Sequence, residues 1–197
     1  VDVVAGDLGD VSSMSKVFHG VDVVFGNTDF WGHFMDPRTH QRAVKEARTP
    51  NEVAFDLEVA QGKKMIDAVA TTTSTLSHFI LSTLSDTKGW SKGTITFNLH
   101  FDAKWAQVEY LKSTYPELWK KTSLLQLGVF ASNWKTPGAH APVKQSDGSF
   151  KLRMAMSGDT KFPMVDANAD TGAFLSLSLS LSLPLLCFRV DGRSADN

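Results

Sequence analysis

The chain has 197 residues, 42% of them hydrophobic and 21% charged, the composition of a globular domain with a core of its own. A formal net charge of −1 and a pI near 6.6 exclude the basic footprint of a duplex-binding domain, so no direct nucleic-acid contact is expected. One cysteine, Cys187, excludes an intrachain disulfide and implies a reducing, cytoplasmic compartment; no apolar run reaches bilayer length, and neither a signal peptide nor a membrane association is expected.

The first stretch, from Val1 to Trp31, reads as strand, helix, strand. Val1–Ala5 is a short apolar run that ends in Gly6-Asp7. Asp10 offers an N-cap, and Val11, Met14, Val17 and Phe18 then recur at helical spacing until Gly20. Val21–Phe25 is the second apolar run and ends at Gly26-Asn27. Two β-branched strands around one amphipathic helix make a βαβ unit, with parallel strands and a right-handed crossover. Ligands of open α/β sheets sit beyond the carboxyl ends of the strands. Those ends are Gly6-Asp7-Leu8 and Gly26-Asn27-Thr28. Because Val1 falls at a strand start, the chain is read as a fragment, or as the product of a gene model that lacks its beginning.

Asn27–Asn51 has no sustained periodicity and is expected to be a loop over the site, with Phe30, Trp31, His33 and Phe34 close together. Glu52–Ala70 is the clearest helix, slightly weakened by Gly62. Leu76–Thr83 is a third strand, and Asp86–Thr96 a loop. Phe101, Trp105, Val108 and Leu111 or Lys112 give a helix that Pro116 breaks. Thr122–Leu127 is a fourth strand, Lys135–Gly148 a loop, and Phe150–Met156 and Phe162–Val165 short strands. Asp166–Phe174 opens another helix with Asp at its N-cap. Leu175–Leu183 alternates Leu and Ser. As structure it would be an edge strand, long, uncharged and prone to aggregate. Residues 175–197 are therefore expected to be a non-native, low-complexity tail, and 1–174 the domain.

Five segments, VVAGDLGDVSSMSKVFHGVDVVFGNTDFW, FDLEVAQGKKMIDAVA, HFDAKWAQVEYLK, LLQLGVFASNW and FPMVDANADTGAF, together resemble the NmrA-like family. This family comprises atypical short-chain dehydrogenase/reductase relatives that include fungal nitrogen-regulation proteins. The resemblance implies an α/β fold, an incomplete Rossmann-type parallel sheet with flanking helices and a small C-terminal substrate lobe. It implies NAD(P) as cofactor of the complete protein, a transcription factor as protein partner, and a nuclear as well as a cytoplasmic location. Val1–Leu8 would be the third strand, with Asp7 and Leu8 near the adenine. Asn27, Thr28, Phe30 and Trp31 would follow the fourth strand beside the cofactor. Ser82 and Thr83 would end the fifth, near the nicotinamide.

The departure from the family pattern is large. A dinucleotide site needs a glycine-rich turn after the first strand. No such turn exists in these residues. The missing first half would be roughly 50–70 residues of strand, loop, helix and strand. Its loss leaves an unpaired edge on the fourth strand and isolates the third. The fragment is expected not to retain NAD(P).

His100 and Lys104 are four apart and would share one helix face. The wider superfamily has Tyr-x-x-x-Lys here, which by resemblance makes Lys104 a ribose contact and puts His100 in the acid/base position. An imidazole can transfer protons near neutral pH, so a reductase is chemically conceivable. In the NmrA-like family loss of the tyrosine goes with sensing instead of turnover. The plain alternative is a partly exposed histidine and a solvated lysine. Asp56 and Glu58 are expected to be solvated, and His19, His33, His40, His78 and His140 have no metal-ligand spacing. Three readings remain: an NAD(P)-sensing regulatory module, an NAD(P)-dependent reductase, or a nonfunctional fragment of either.

Overall fold

The computed structural model describes residues 3–135, 141–153, 156–157 and 159–180. The described residues divide into two units, one up to residue 126 and one from residue 127 onward. Within the first, Asp10 caps helix α1 (Val11–Val17) by accepting the N–H of Ser12, as its spacing predicts. Strand β1 (Val23–Gly26) follows, then helices α2 (Phe30–Met35), α3 (Pro37–Lys45) and α4 (Pro50–Ala70). Strand β2 (His78–Thr83) leads through α5 (Thr87–Trp90), α6 (Leu99–Thr114) and α7 (Pro116–Trp119) to strand β3 (Thr122–Gln126).

The three strands form one parallel sheet in the order β1–β2–β3. Val24 lies beside Phe79, and Leu81 joins Gly26 to Leu124 across the sheet. Residues in register share a face, and Val24, Phe79 and Leu81 pack against Met65, Ile66 and Val69 of α4 and Val108 and Leu111 of α6. Phe79, Met65, Ile66 and Leu111 are fully buried, each contributing on the order of 1.5–3 kcal/mol. This layer is the expected Rossmann-type sheet, with β1 at its edge.

Four expectations for this unit are corrected. The strand expected over Val1–Ala5 is not formed by residues 3–5, which carry no sheet pairing, and Val3 and Val4 are exposed. An isolated extended segment has no ladder to join, and the only neighbour of β1 is β2 among the described residues. Asn27–Asn51 is not a loop, since α2 and α3 occupy most of it. Asp36 caps α3 through the N–H of Arg38, with Pro37 in the first helical position. Thr49 and Glu52 form a capping box that starts α4 at Pro50, two residues before the expected Glu52. The loop Asp86–Thr96 contains α5, capped by Asp86.

In the second unit β4 (Val129–Phe130) pairs in parallel with β7 (Met164–Val165), and β5 (Val143–Lys144) pairs antiparallel with β6 (Phe150–Lys151). A 3₁₀ turn covers Ala131–Lys135. Of the expected strand over Phe150–Met156, Phe150–Lys151 form a strand among the described residues, and the expected loop Lys135–Gly148 contains its partner. Helix α8 (Ala167–Ser180) begins where Asp166 accepts the N–H groups of Asn168 and Ala169. It continues through Leu175–Ser180, so this part of the alternating stretch is helix and not an edge strand. Leucine is a strong helix former, and among the described residues no strand pairs with the alternating stretch. The remainder of that stretch and Cys187 lie outside the described residues.

Candidate functional site

The carboxyl end of β1, the middle of α4 and the first turns of α6 meet around one polar group. Helix α4 packs along α6, with Ala54, Glu58, Gly62, Met65 and Val69 on its buried stripe. Glu58 stands in that apolar row and is fully buried. Its Oε1 accepts a hydrogen bond from the Thr28 hydroxyl at 2.7 Å and pairs with Lys104 Nζ at 3.0 Å. Lys104 also donates to the carbonyl of Thr28 at 2.7 Å, with Asn27 Oδ1 at 3.3 Å and Thr28 Oγ1 at 3.2 Å. Gln107 Nε2 donates to Thr28 Oγ1 at 3.0 Å. Four oxygens therefore stand around the three protons of one ammonium.

This corrects two expectations. Glu58 is neither solvated nor unpaired, and Lys104 is not a solvated lysine: its side chain is only 12% exposed. Asp56, also expected to be solvated, pairs with Arg48 at 2.6 Å. Glu58 and Gln107 are the functional candidates that sequence reading missed. The available signal was position, because Glu58 falls four residues from Ala54 and four from Gly62 on the face that meets α6.

Of the residues expected near a cofactor, Asn27, Thr28 and Lys104 come together here. Thr83 is buried beside them, its hydroxyl 3.4 Å from the carbonyls of Lys104 and Leu84. Ser82 is half-buried on β2, in register with Leu125. Phe30 is a core residue, packed with Ala54 and Ala103. Asp7 and Leu8 make their contacts elsewhere: Asp7 accepts from the N–H of Gly9 and its own N–H reaches Ser13, while Leu8 packs at the margin of the main core.

His100 sits in an aromatic group. Its ring centroid is 4.8 Å from Phe101, 5.2 Å from Trp31 and 5.9 Å from Phe30. Burial, aided by the Lys104 ammonium, pushes its pKa below the ordinary value of 6.5. The imidazole is therefore neutral at neutral pH. No group of histidine, cysteine and carboxylate side chains among the described residues can hold a metal ion. A surface hollow of about 270 Å³ at the turn from α6 to α7 is lined by Thr114, Tyr115 and Leu118 and shares no residue with the Glu58–Lys104 group.

These residues do not amount to a dinucleotide site. The sequence has no glycine-rich turn to hold a pyrophosphate. The Lys104 ammonium is directed at protein oxygens already.

Among the described residues, no helix is long and apolar enough to cross a membrane. No curated protein matches the sequence significantly. Among solved structures it is similar to NmrA, described as a negative transcriptional regulator, with a TM-score of 0.62 and 20% identity. The match covers 91% of this chain and 47% of that one, so the chain spans about half the length of that relative. Identity at this level supports the fold alone: parallel strands β1–β2–β3 with flanking helices, as in the Rossmann-like fold of NmrA. A model of the NmrA-like family matches residues 1–180. The chain belongs to the NmrA-like family.

Proposed function

We propose that this chain is part of a redox-sensing regulatory protein that responds to NAD(P) and acts through a protein partner, a transcription factor, in the cytoplasm or nucleus. Family membership supports the cofactor, and the description of NmrA as a transcriptional regulator supports the partner. The observation that favours sensing over turnover is His100. At the position where a reductase of the superfamily would carry its proton donor, this chain has an imidazole packed against Trp31 and Phe101, neutral at neutral pH. Capture of a dinucleotide requires a glycine-rich segment that these residues do not contain, so the 197 residues alone do not retain NAD(P).

The second reading, an NAD(P)-dependent reductase, draws on the placement of His100 and Lys104 one turn apart on α6. The test is turnover. NADPH and a panel of carbonyl compounds are incubated with the chain, and with the polypeptide extended through any upstream coding sequence. Regulation predicts no sustained loss of the nicotinamide absorbance band, in wild type or in His100→Ala. Sustained oxidation that His100→Ala abolishes would establish the reductase instead. Thermal unfolding with and without NADPH reports binding separately, as an upward shift in Tm only where a complete site exists.

A further inference from the structure

We propose that Glu58 is the positioning residue of Lys104: its buried carboxylate holds the ammonium at the end of β1 and thereby fixes the path of the chain through Asn27 and Thr28 into α2. The inference concerns this chain's own residues and does not depend on a cofactor.

The geometry carries it. Glu58 is on α4, Lys104 on α6, and the oxygens they share belong to the β1–α2 corner. One carboxylate oxygen, Oε1, collects both the Thr28 hydroxyl and the ammonium. The other, Oε2, is buried and makes no hydrogen bond to a described residue. A half-satisfied buried carboxylate is a poor source of stability, because desolvation of the two ions offsets most of their attraction. What the pair supplies instead is location. With Glu58 in place, Lys104 is directed inward to the Thr28 carbonyl and away from solvent. Without it, the ammonium keeps only the neutral oxygens of Asn27 and Thr28 and loses the one charge that offsets its removal from water. The corner it ties down carries Phe30 and Trp31, whose rings meet His100, so the clamp also sets the aromatic group beside it.

Competitive labelling of lysine amines with a small acylating reagent, read residue by residue on the full chain, tests this directly. In wild type Lys104 should react about tenfold or more slowly than the exposed Lys16 and Lys45, a factor equivalent to about 1.4 kcal/mol. Glu58→Gln keeps the shape and removes the charge. It should raise Lys104 labelling several-fold, with Lys16 and Lys45 unchanged, and speed amide exchange at Asn27 and Thr28. The pair Glu58→Gln with Lys104→Met should unfold at the same denaturant concentration as wild type, or a higher one, while amide exchange at the corner stays fast. A purely structural ion pair would instead leave the double variant less stable. Wild-type Lys104 that labels as fast as Lys45 overturns the proposal, whether or not any variant folds. So does Lys104 labelling that is unaffected by Glu58→Gln.

Discussion

Gly62 on α4 lies directly against the side chain of Gln107 on α6: a β-carbon at Gly62 would stand 2.1 Å from Gln107 Cδ. Helix propensity alone favours Gly62→Ala by about 1 kcal/mol. The contact reverses the sign. Gln107 is buried and tied to Thr28, so it cannot swing aside without breaking a buried hydrogen bond. Overpacking of this kind costs about 1–3 kcal/mol and the lost hydrogen bond about 1 more. Gly62→Ala should be net destabilising, by about 1–3 kcal/mol, measured as a lower urea midpoint at unchanged slope. A midpoint equal to or above that of wild type would show that α4 and α6 are not in close contact here.

Gly62 also shows where sequence reading stops. Its helix and its cost were legible, but its reason was not, because nothing in one helix says which residue of another faces it. Local signals read well: Asp10 ahead of Val11, Met14 and Val17 gave α1, and the apolar runs at Val21–Phe25 and Leu76–Thr83 gave β1 and β2 in a parallel layer. Some local signals went unread. Asp36-Pro37 and Thr49-Pro50-Asn51-Glu52 are helix starts, yet they stand among residues without clear hydrophobic period, so the caps are the one local signal of α3 and of the first turn of α4. The strand expected at Val1–Ala5 is missing from residues 3–5 for a non-local reason: these residues suit a strand, but none of the described residues pairs with them. Of the polar group, the resemblance names Lys104, Asn27 and Thr28, each as a cofactor contact. Glu58 was hidden by the assumption that a carboxylate on a helix is solvated.

The two tyrosines of the chain share one acceptor. Tyr110 and Tyr115 donate to the same oxygen of Asp67, at 2.6 and 2.9 Å. Hydrogen bonding to Asp67, then burial, pushes the Tyr110 phenol above its ordinary pKa of 10.0. Burial, then Asp67, does the same for Tyr115. The folded protein thus holds these protons to higher pH than the unfolded chain. Their stabilisation is complete below pH 10 and is lost as pH rises through the folded values. Spectrophotometric titration should show less tyrosinate at pH 10 in the native protein than in denaturant, where the curve is normal. Tyr110→Phe and Tyr115→Phe should each cost about 1 kcal/mol. Their sum should differ from the double variant by about 0.5–1 kcal/mol, since the two phenols serve one carboxylate.

Acid should weaken the fold through His100 before the bulk of the carboxylates titrate. Burial lowers its pKa in the folded state, so the unfolded chain binds the proton more readily. The resulting stability is complete above about pH 6.5 and is lost as pH falls from there toward the depressed folded value. His78, packed between strands with Ser123 and lowered by burial, acts in the same direction. The drop in Tm between about pH 7.5 and about pH 5.5 should therefore shrink in His100→Phe, which keeps the aromatic contacts, without vanishing. An unchanged drop in that variant would place the titrating imidazole in solvent.

The free edge of β1 should make the chain self-associate. Among the described residues β1 pairs on one side only, with β2. The side chains on its outward face, Val23 and Phe25, are 38% and 44% exposed. An apolar strand with unpaired backbone groups is a template for another chain, and natural edges are protected by charge. Phe25→Lys puts a charge on this edge without touching Val24 or the core it joins. Wild type should show a sedimentation coefficient that rises with concentration, and Phe25→Lys should reduce that rise while unfolding at a similar denaturant midpoint. The same substitution on the inward face, Val24→Lys, should prevent folding outright, since Val24 is buried against Met65 and Phe79 and an unpaired ammonium there costs several kcal/mol, on the order of 3–5. If Phe25→Lys unfolds the chain and Val24→Lys does not, the two faces of β1 are assigned the wrong way round.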